Sequence, residues 1–198
     1  MFKRIEFART PCYGTCPVFD VEINHDGSVK WNGHMYVYRL GEEEFKISNK
    51  KIEKIEALLK EFDFRSFTYR DPDSYATDHP SCITRVEYTD GYVKEVDHYL
   101  GDFETPLIDE KHTLHHLEEF EKKLEQLLGL RKYINPTLYV YHLKVDEGEY
   151  VVSAPNEKEA FKLVGYTGNR RQGDIEKIGR DTTGEISPYI VMVKKKEE

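Results

Sequence analysis

Two Asp-Gly dipeptides, Asp26-Gly27 and Asp90-Gly91, constrain the fold of this chain more than any other feature of its sequence. Each lies between runs of alternating apolar and polar residues. Asp-Gly readily forms the tight turn of a β-hairpin, because glycine adopts the positive φ that such a turn requires. The sequence therefore predicts antiparallel strands, with the third one interrupted near Gly33. The predicted strands are KRIEFAR (3–9), VFDVEI (18–23), SVKWNGHMYVYR (28–39), EEFKI (43–47), CITRVEYT (82–89) and YVKEVDHY (92–99).

Two segments of the same region have the period of an amphipathic helix, with apolar residues three and four positions apart. Ser48 precedes the first segment, and Gly129, a suitable left-handed terminator, follows the second. Hairpins and two helices together predict an α+β domain over residues 1–130. The apolar positions are Ile52, Ile55, Leu59 and Phe62 in the first helix, and Leu114, Leu117, Phe120, Leu124, Leu127 and Leu128 in the second.

The segment GLRKYINP (129–136) marks a domain boundary, and residues 137–198 form a second pattern. Two strands, TLYVYHLKV and EYVVSA, precede the helix NEKEAFKLV and two further strands, DIEKIG and EISPYIVMV. This order predicts a small β-β-α-β-β domain, so the fold class is α+β in both parts of the chain.

Composition favours a globular protein with a real core, since 38% of the 198 residues are hydrophobic and 13% are aromatic. The chain contains no apolar run long enough to cross a bilayer and begins without the pattern of a secretory signal, so we expect a cytoplasmic protein. Its net charge of −8 disfavours general nucleic-acid binding. Three cysteines in that compartment do not indicate a disulfide framework.

The stretch RTPCYGTCP (9–17) holds Cys12 and Cys16 four positions apart. One interpretation is structural: small thiols pack in a core beside a tight loop shaped by prolines and Gly14. The alternative is a redox pair or a conditional disulfide, because Arg9 would lower the pKa of nearby thiols and residues four apart in a turn can bond. A zinc site would need further ligands, recruited from Cys82, His79, His25 and His34.

Residues 1 to about 128 resemble a bacterial family of domains of unknown function. The resemblance is carried by R-T-P-C-Y-G-x-C-P, here residues 9–17, by the D-G that follows a strand, here Asp26-Gly27, and by T-D-x-P, here residues 77–80. It implies an α+β domain and assigns no activity, so it supplies no catalytic residue. Residues from Thr137 onward lie outside it.

Three further groups of side chains are candidates for a site. Asp71, Asp73, Asp78 and His79 lie in a long loop and could serve general acid-base chemistry, although Asp and Ser are also ordinary turn residues. Arg170 and Arg171, in the glycine-rich segment 165–174, could bind an anion, or could be solvated arginines of a connection. His112, His115 and His116 face away from the apolar stripe of the second helix, so we expect them to be exposed and to hold no native metal.

The sequence therefore favours a non-catalytic binding or interaction protein with an unidentified protein or small-molecule partner and no cofactor. The main alternative is a thiol-dependent redox switch or metal-binding protein that uses Cys12 and Cys16. A hydrolase working through the loop at 71–79 is a third hypothesis.

Overall fold

The computed structural model describes residues 1–69, 76–102, 112–168 and 174–195 of the chain. The chain divides into two compact units, Met1–Ile134 and Asn135–Glu198. Helices and antiparallel sheets occur in both, which confirms the predicted α+β class. The elements are β1 (Phe2–Arg9), β2 (Val18–Asn24), β3 (Ser28–Met35), β4 (Gly41–Lys46), α1 (Asn49–Glu61), β5 (Ser81–Tyr88), β6 (Val93–Tyr99), α2 (Leu114–Leu128), α3 (Arg131–Ile134), β7 (Tyr139–Val145), β8 (Gly148–Ala154), α4 (Glu157–Leu163), β9 (Asp174–Arg180) and β10 (Tyr189–Lys195).

The first unit contains a six-stranded sheet with the order β4-β3-β2-β1-β5-β6. Every neighbouring pair is antiparallel. Gly27 and Gly91 both have φ of +83° in the hairpin turns, and Asp26 Oδ1 accepts a hydrogen bond of 2.8 Å from the Ser28 amide. Both Asp-Gly hairpins predicted from the sequence are thus confirmed.

The strand predicted over 28–39 is too long, because β3 ends at Met35. The amides of Tyr38 and Arg39 instead donate to carbonyl oxygens of Ile134 and Tyr133, 3.0 and 2.9 Å away. The pairing of β2 with β3 shifts just before this point, next to Gly33, where an interruption was predicted. The alternation of polar and apolar residues in the sequence continues past the end of β3. It therefore does not show that Tyr38 and Arg39 pair with α3 instead of with a strand.

Helices α1 and α2 pack against each other, and their apolar faces join the inward side chains of the sheet in one core. The predicted helix positions are buried, except that Leu127 is partly buried and Leu114 lies at the first turn of α2. Gly129 ends α2 with φ of +73°, as predicted. Among the helices in the described ranges, none is long and apolar enough to cross a membrane.

The second unit has a four-stranded antiparallel sheet with the order β10-β8-β7-β9. Helix α4 packs against β7 and β8 and closes a small core that includes Leu143, Val152 and Phe161. The element order is the predicted β-β-α-β-β. Strand β10 is at an edge of this sheet, and its side chains are mostly exposed.

Candidate functional site

The loop between β1 and β2 is closed by a disulfide that joins Cys12 to Cys16, whose Cα atoms are 5.8 Å apart. Both cysteines are partly exposed, and Tyr13 between them is 94% exposed. The interpretation that these thiols fill a core is therefore wrong. The loop lies outside the packed core, where a covalent bond holds its shape in place of side-chain packing.

Main-chain hydrogen bonds attach this loop to the segment before β5. The amide of Tyr13 donates to the carbonyl oxygen of Asp78 at 3.0 Å, and the amide of Thr10 donates to that of Ser81 at 3.0 Å. The amide of Ser81 in turn donates to Thr10 Oγ1 at 2.6 Å. Because β1 and β5 are antiparallel neighbours, the end of β1 meets the start of β5. Segments 9–17 and 77–80 therefore lie side by side.

Tyr99 contacts the segment at 77–80 and the residue before it. Its hydroxyl accepts from the Ala76 amide and donates to the Ala76 carbonyl oxygen, each at 2.9 Å. The His79 ring meets the Tyr99 ring edge-on, with centroids 5.9 Å apart. A Cβ on Gly101 would lie 2.5 Å from the Tyr99 hydroxyl oxygen and 2.7 Å from His79 Cγ. Glycine at 101 thus permits the close approach of these two rings.

Of the loop residues proposed for acid-base chemistry, Asp78 and His79 are described, whereas Asp71 and Asp73 lie outside the described residues. His79 Nε2 is 3.7 Å from Asp78 Oδ1, and both side chains are exposed. An exposed pair at this separation contributes at most about 1 kcal/mol and is an ordinary surface contact. Arg170 and Arg171, proposed to bind an anion, also lie outside the described residues.

A row of polar side chains lies beneath the loop, on the side of the sheet that faces the helices. Arg9, Cys82 and His98 are direct neighbours across β1, β5 and β6. Glu121 and Glu125, one turn apart on α2, cover this row. His98 Nδ1 is 2.8 Å from Glu121 Oε1, and Arg9 Nη2 is 4.0 Å from Glu125 Oε2. The sequence suggested that Arg9 would act on the thiols of Cys12 and Cys16. Its guanidinium is instead directed at the carboxylate of Glu125.

Burial shifts the pKa of two groups at this site, Cys82 and Glu125. Burial raises the pKa of the Cys82 thiol well above its usual value, and the charge of Glu121 adds to that effect while Arg9 opposes it. Burial also raises the pKa of Glu125, again against the effect of Arg9. Since the thiolate is the nucleophilic form, Cys82 is not a reactive cysteine.

Sequence reasoning did not identify His98 and Glu121 as a pair, although two signals were present. His98 occupies an inward position of an alternating strand, two residues after buried Val96. Glu121 lies within the apolar stripe of α2, four residues after Leu117. A polar residue on an apolar face needs a hydrogen-bonding partner, and His98 and Glu121 could have been matched on that ground. The sequence does not show, however, which strand packs against α2.

The zinc hypothesis required several ligands to converge. Within the described ranges, no group of three or more His, Cys, Asp or Glu side chains is placed to hold a metal ion. Two of the ligands considered are engaged elsewhere: His34 Nε2 lies 2.6 Å from Asp20, and His25 Nε2 lies 3.6 Å from Glu56. Cys82 is buried in the row described above.

The expectation that His112 is exposed is wrong. Its ring is buried and packs against Phe62 and Phe67, with centroids 4.7 and 5.3 Å away. The helical period does not apply to this residue, because α2 begins at Leu114. His116 has a structural role: its amide donates to Thr113 Oγ1, and its Nδ1 accepts from the Thr113 amide at 3.2 Å, which completes a capping box.

Comparison with protein families finds a match for the first unit. A family model described as Domain of unknown function (DUF6438) matches residues 3–128. The match includes the disulfide-closed loop, the segment at 77–80 and the buried row beneath them. No curated protein matches the chain.

Proposed function

We propose that this chain, which belongs to the family Domain of unknown function (DUF6438), is a non-catalytic binding protein that contacts its partner through the disulfide-closed loop. The observation that carries the proposal is the exposure of Tyr13, 94%, between two bonded cysteines. A hydrogen bond to Asp78 further fixes its backbone. A rigidly held tyrosine offers a large contact area at a low entropy cost, which favours binding.

The chemistry of the loop suggests the class of partner. Residues 10–17 contain no charged side chain, and the chain as a whole has a net charge of −8. Phosphate backbones are bound mainly by lysine and arginine, so a nucleic acid is disfavoured. A protein with an apolar pocket for an aromatic ring fits the loop better. A bacterial, cytoplasmic setting is part of the same proposal, and it requires the Cys12–Cys16 bond to resist the reducing cytosol.

The test compares three forms of the full chain as bait in lysate of the source cell: wild type, Tyr13→Ala and Leu40→Ala. Leu40 is another exposed apolar side chain of the first unit and serves as the control. We expect wild type and Leu40→Ala to recover the same partner and Tyr13→Ala to recover about tenfold less of it. Equal recovery by all three forms, or no specific partner for wild type, would overturn the proposal.

A second candidate function is a thiol switch at the same loop. It is favoured by one observation, the partial exposure of both bonded cysteines. Two electrons and two protons from glutathione or a dithiol protein would convert the bond to two thiols. Equilibration in glutathione buffers measures the reduction potential. A value within the cytosolic range, about −220 to −300 mV, supports a switch, whereas a lower value indicates a permanent structural bond.

A further inference from the structure

Strand β10 presents an unusual edge. Within the described residues β10 pairs with β8 alone, with a bulge at Val191, and four successive apolar side chains, Ile190, Val191, Met192 and Val193, are between 42% and 53% exposed. An edge strand has unpaired N–H and C=O groups along its free side. Apolar side chains beside such groups favour the addition of another strand.

The other sheet edges within the described ranges are protected by charge. Strand β4 has three consecutive glutamates, Glu42 to Glu44, and β6 carries Lys94, Glu95 and Asp97. Strand β9, at the far edge of the second sheet, contains Glu176 and Lys177. Charged residues are the usual means of preventing strand addition at an edge. In β10 the charges come only at the end, as Lys194 and Lys195.

We propose that β10 binds β10 of a second copy of this chain, in antiparallel orientation about a two-fold axis near Met192. The two four-stranded sheets would then form one sheet of eight strands. In this register Val191, which the bulge leaves without a partner in β8, lies opposite Val193 of the second copy, so apolar residues meet at the centre. Such an interface is isologous and closes at two copies.

The lysines determine the orientation. A parallel pairing would place Lys194 and Lys195 beside the same lysines of the other strand, and like charges opposite each other are destabilising. The antiparallel pairing sets Lys194 opposite Ile190 and separates the two pairs of lysines by the length of the strand. Charge distribution therefore favours the symmetric, antiparallel arrangement.

Strand β4 is the main competitor for the same edge, because its glutamates could meet the two lysines. An antiparallel pairing that brings Lys194 to Glu42 also sets Val193 and Met192 opposite Glu43 and Glu44. Apolar side chains would then lie beside carboxylates and lose the benefit of burial. This head-to-tail contact would also leave a free edge on each copy and extend into open chains, which distinguishes it from a dimer.

A strand pair alone buries less than the roughly 1,000 Å² of a stable interface, so we expect a dissociation constant on the order of micromolar. Sedimentation velocity over a wide range of concentration measures it on the full chain. We expect a monomer-dimer equilibrium for wild type and for Val93→Lys, a control at an exposed valine of β6. Met192→Lys, which puts a charge at the centre of the proposed interface, should remain monomeric at every concentration.

A cysteine variant provides an independent readout that does not depend on introducing a charge. Met192→Cys adds a thiol at the proposed two-fold axis. Val93→Cys, the control, adds one on the edge strand β6. Under mild oxidation we expect a covalent dimer from Met192→Cys only, because two cysteines can bond when their Cα atoms approach within about 7 Å. Monomeric wild type, dimers of Met192→Lys, equal cross-linking of both cysteine variants, or growth beyond dimers would each overturn the proposal.

Discussion

His98 on β6 and Glu121 on α2 form a buried contact, with His98 Nδ1 2.8 Å from Glu121 Oε1 and side chains 1% and 3% exposed. It joins β6 to α2, at the end of the row that starts at Arg9, the residue before the disulfide-closed loop. Glu121 also helps to raise the pKa of the buried Cys82 thiol, after the larger effect of burial. A carboxylate so deeply buried is tolerated only while hydrogen-bond donors surround it, so this contact ties the position of α2 to the strands.

Removing one partner of this pair should be costly. We expect His98→Leu to lower the free energy of unfolding by about 3–5 kcal/mol, because Glu121 stays buried without its main partner. The double variant His98→Leu with Glu121→Leu should recover much of the loss, since no polar group is then left unpaired. Urea unfolding measures each value. His115→Leu, at an exposed position of α2, should change stability by less than about 0.5 kcal/mol. Costs below about 1 kcal/mol for His98→Leu would contradict a structural role for the pair.

The three cysteines should differ sharply in reactivity. In the folded, oxidised protein we expect no thiol to react with a disulfide reagent, because Cys12 and Cys16 are bonded and Cys82 is buried with a raised pKa. Unfolding without reductant should expose one thiol, and unfolding after reduction should expose all three. Thiol titration in the three conditions gives these counts. A fast-reacting thiol in the native oxidised protein would show that Cys82 is open to solvent.

Local sequence patterns were sufficient for most of the first sheet and both long helices. Asp26-Gly27 fixed a hairpin, and Ile52, Ile55 and Leu59 fixed the inner face of α1, because each feature depends on neighbours within one turn of chain. The end of β3 and the burial of His112 were not predictable. Both depend on contacts distant in sequence, with α3 in one case and with Phe62 and Phe67 in the other.

The candidate site was only half visible in the sequence for the same reason. The motif at 9–17 was evident, and the separation of four positions between its cysteines permitted a bond. Its neighbours became known only when β5 was placed beside β1, which brings Asp78 to Tyr13 and Cys82 to Arg9. Strand order within a sheet is set by the whole core, and no local pattern encodes it.

Two glycines should respond differently to alanine. Gly27 has φ of +83°, and a Cβ there would lie 2.6 Å from the carbonyl oxygen of Ile47. We expect Gly27→Ala to cost at least about 1–2 kcal/mol. A Cβ on Gly14 would meet only Cys12 Sγ, at 3.7 Å, and the backbone of Gly14 is outside the left-handed region. Gly14→Ala should therefore change stability by less than about 0.5 kcal/mol, measured by urea unfolding. Equal costs would mean that the loop, like the turn, depends on glycine.

The disulfide should contribute modestly to stability. A loop of about five residues loses little chain entropy when it closes, so we expect the variant Cys12→Ser with Cys16→Ser to lower the free energy of unfolding by about 2 kcal/mol. Reduced wild type is the matched control and should be as stable as this variant. A loss above about 4 kcal/mol, or a reduced protein much more stable than the variant, would indicate that the two side chains make other essential contacts.

Asp181 should make the second unit sensitive to acid. A hydrogen bond from Ser153 Oγ, with a second from the Thr183 amide at 2.8 Å, holds the pKa of this carboxyl far below its usual value of 3.8. A depressed pKa stabilises the fold above the pKa of the unfolded chain, and this contribution is lost as the pH falls through the lower folded value. Wild type should therefore lose more stability than Asp181→Asn between about pH 4 and pH 2.

The stability of the second unit is measured through the NMR amide signals of β7 and β8. The control variant Asp146→Asn, at an exposed turn position, should behave as wild type. Parallel pH profiles for wild type and Asp181→Asn would show that the hydrogen bonds to Asp181 do not favour its charged form.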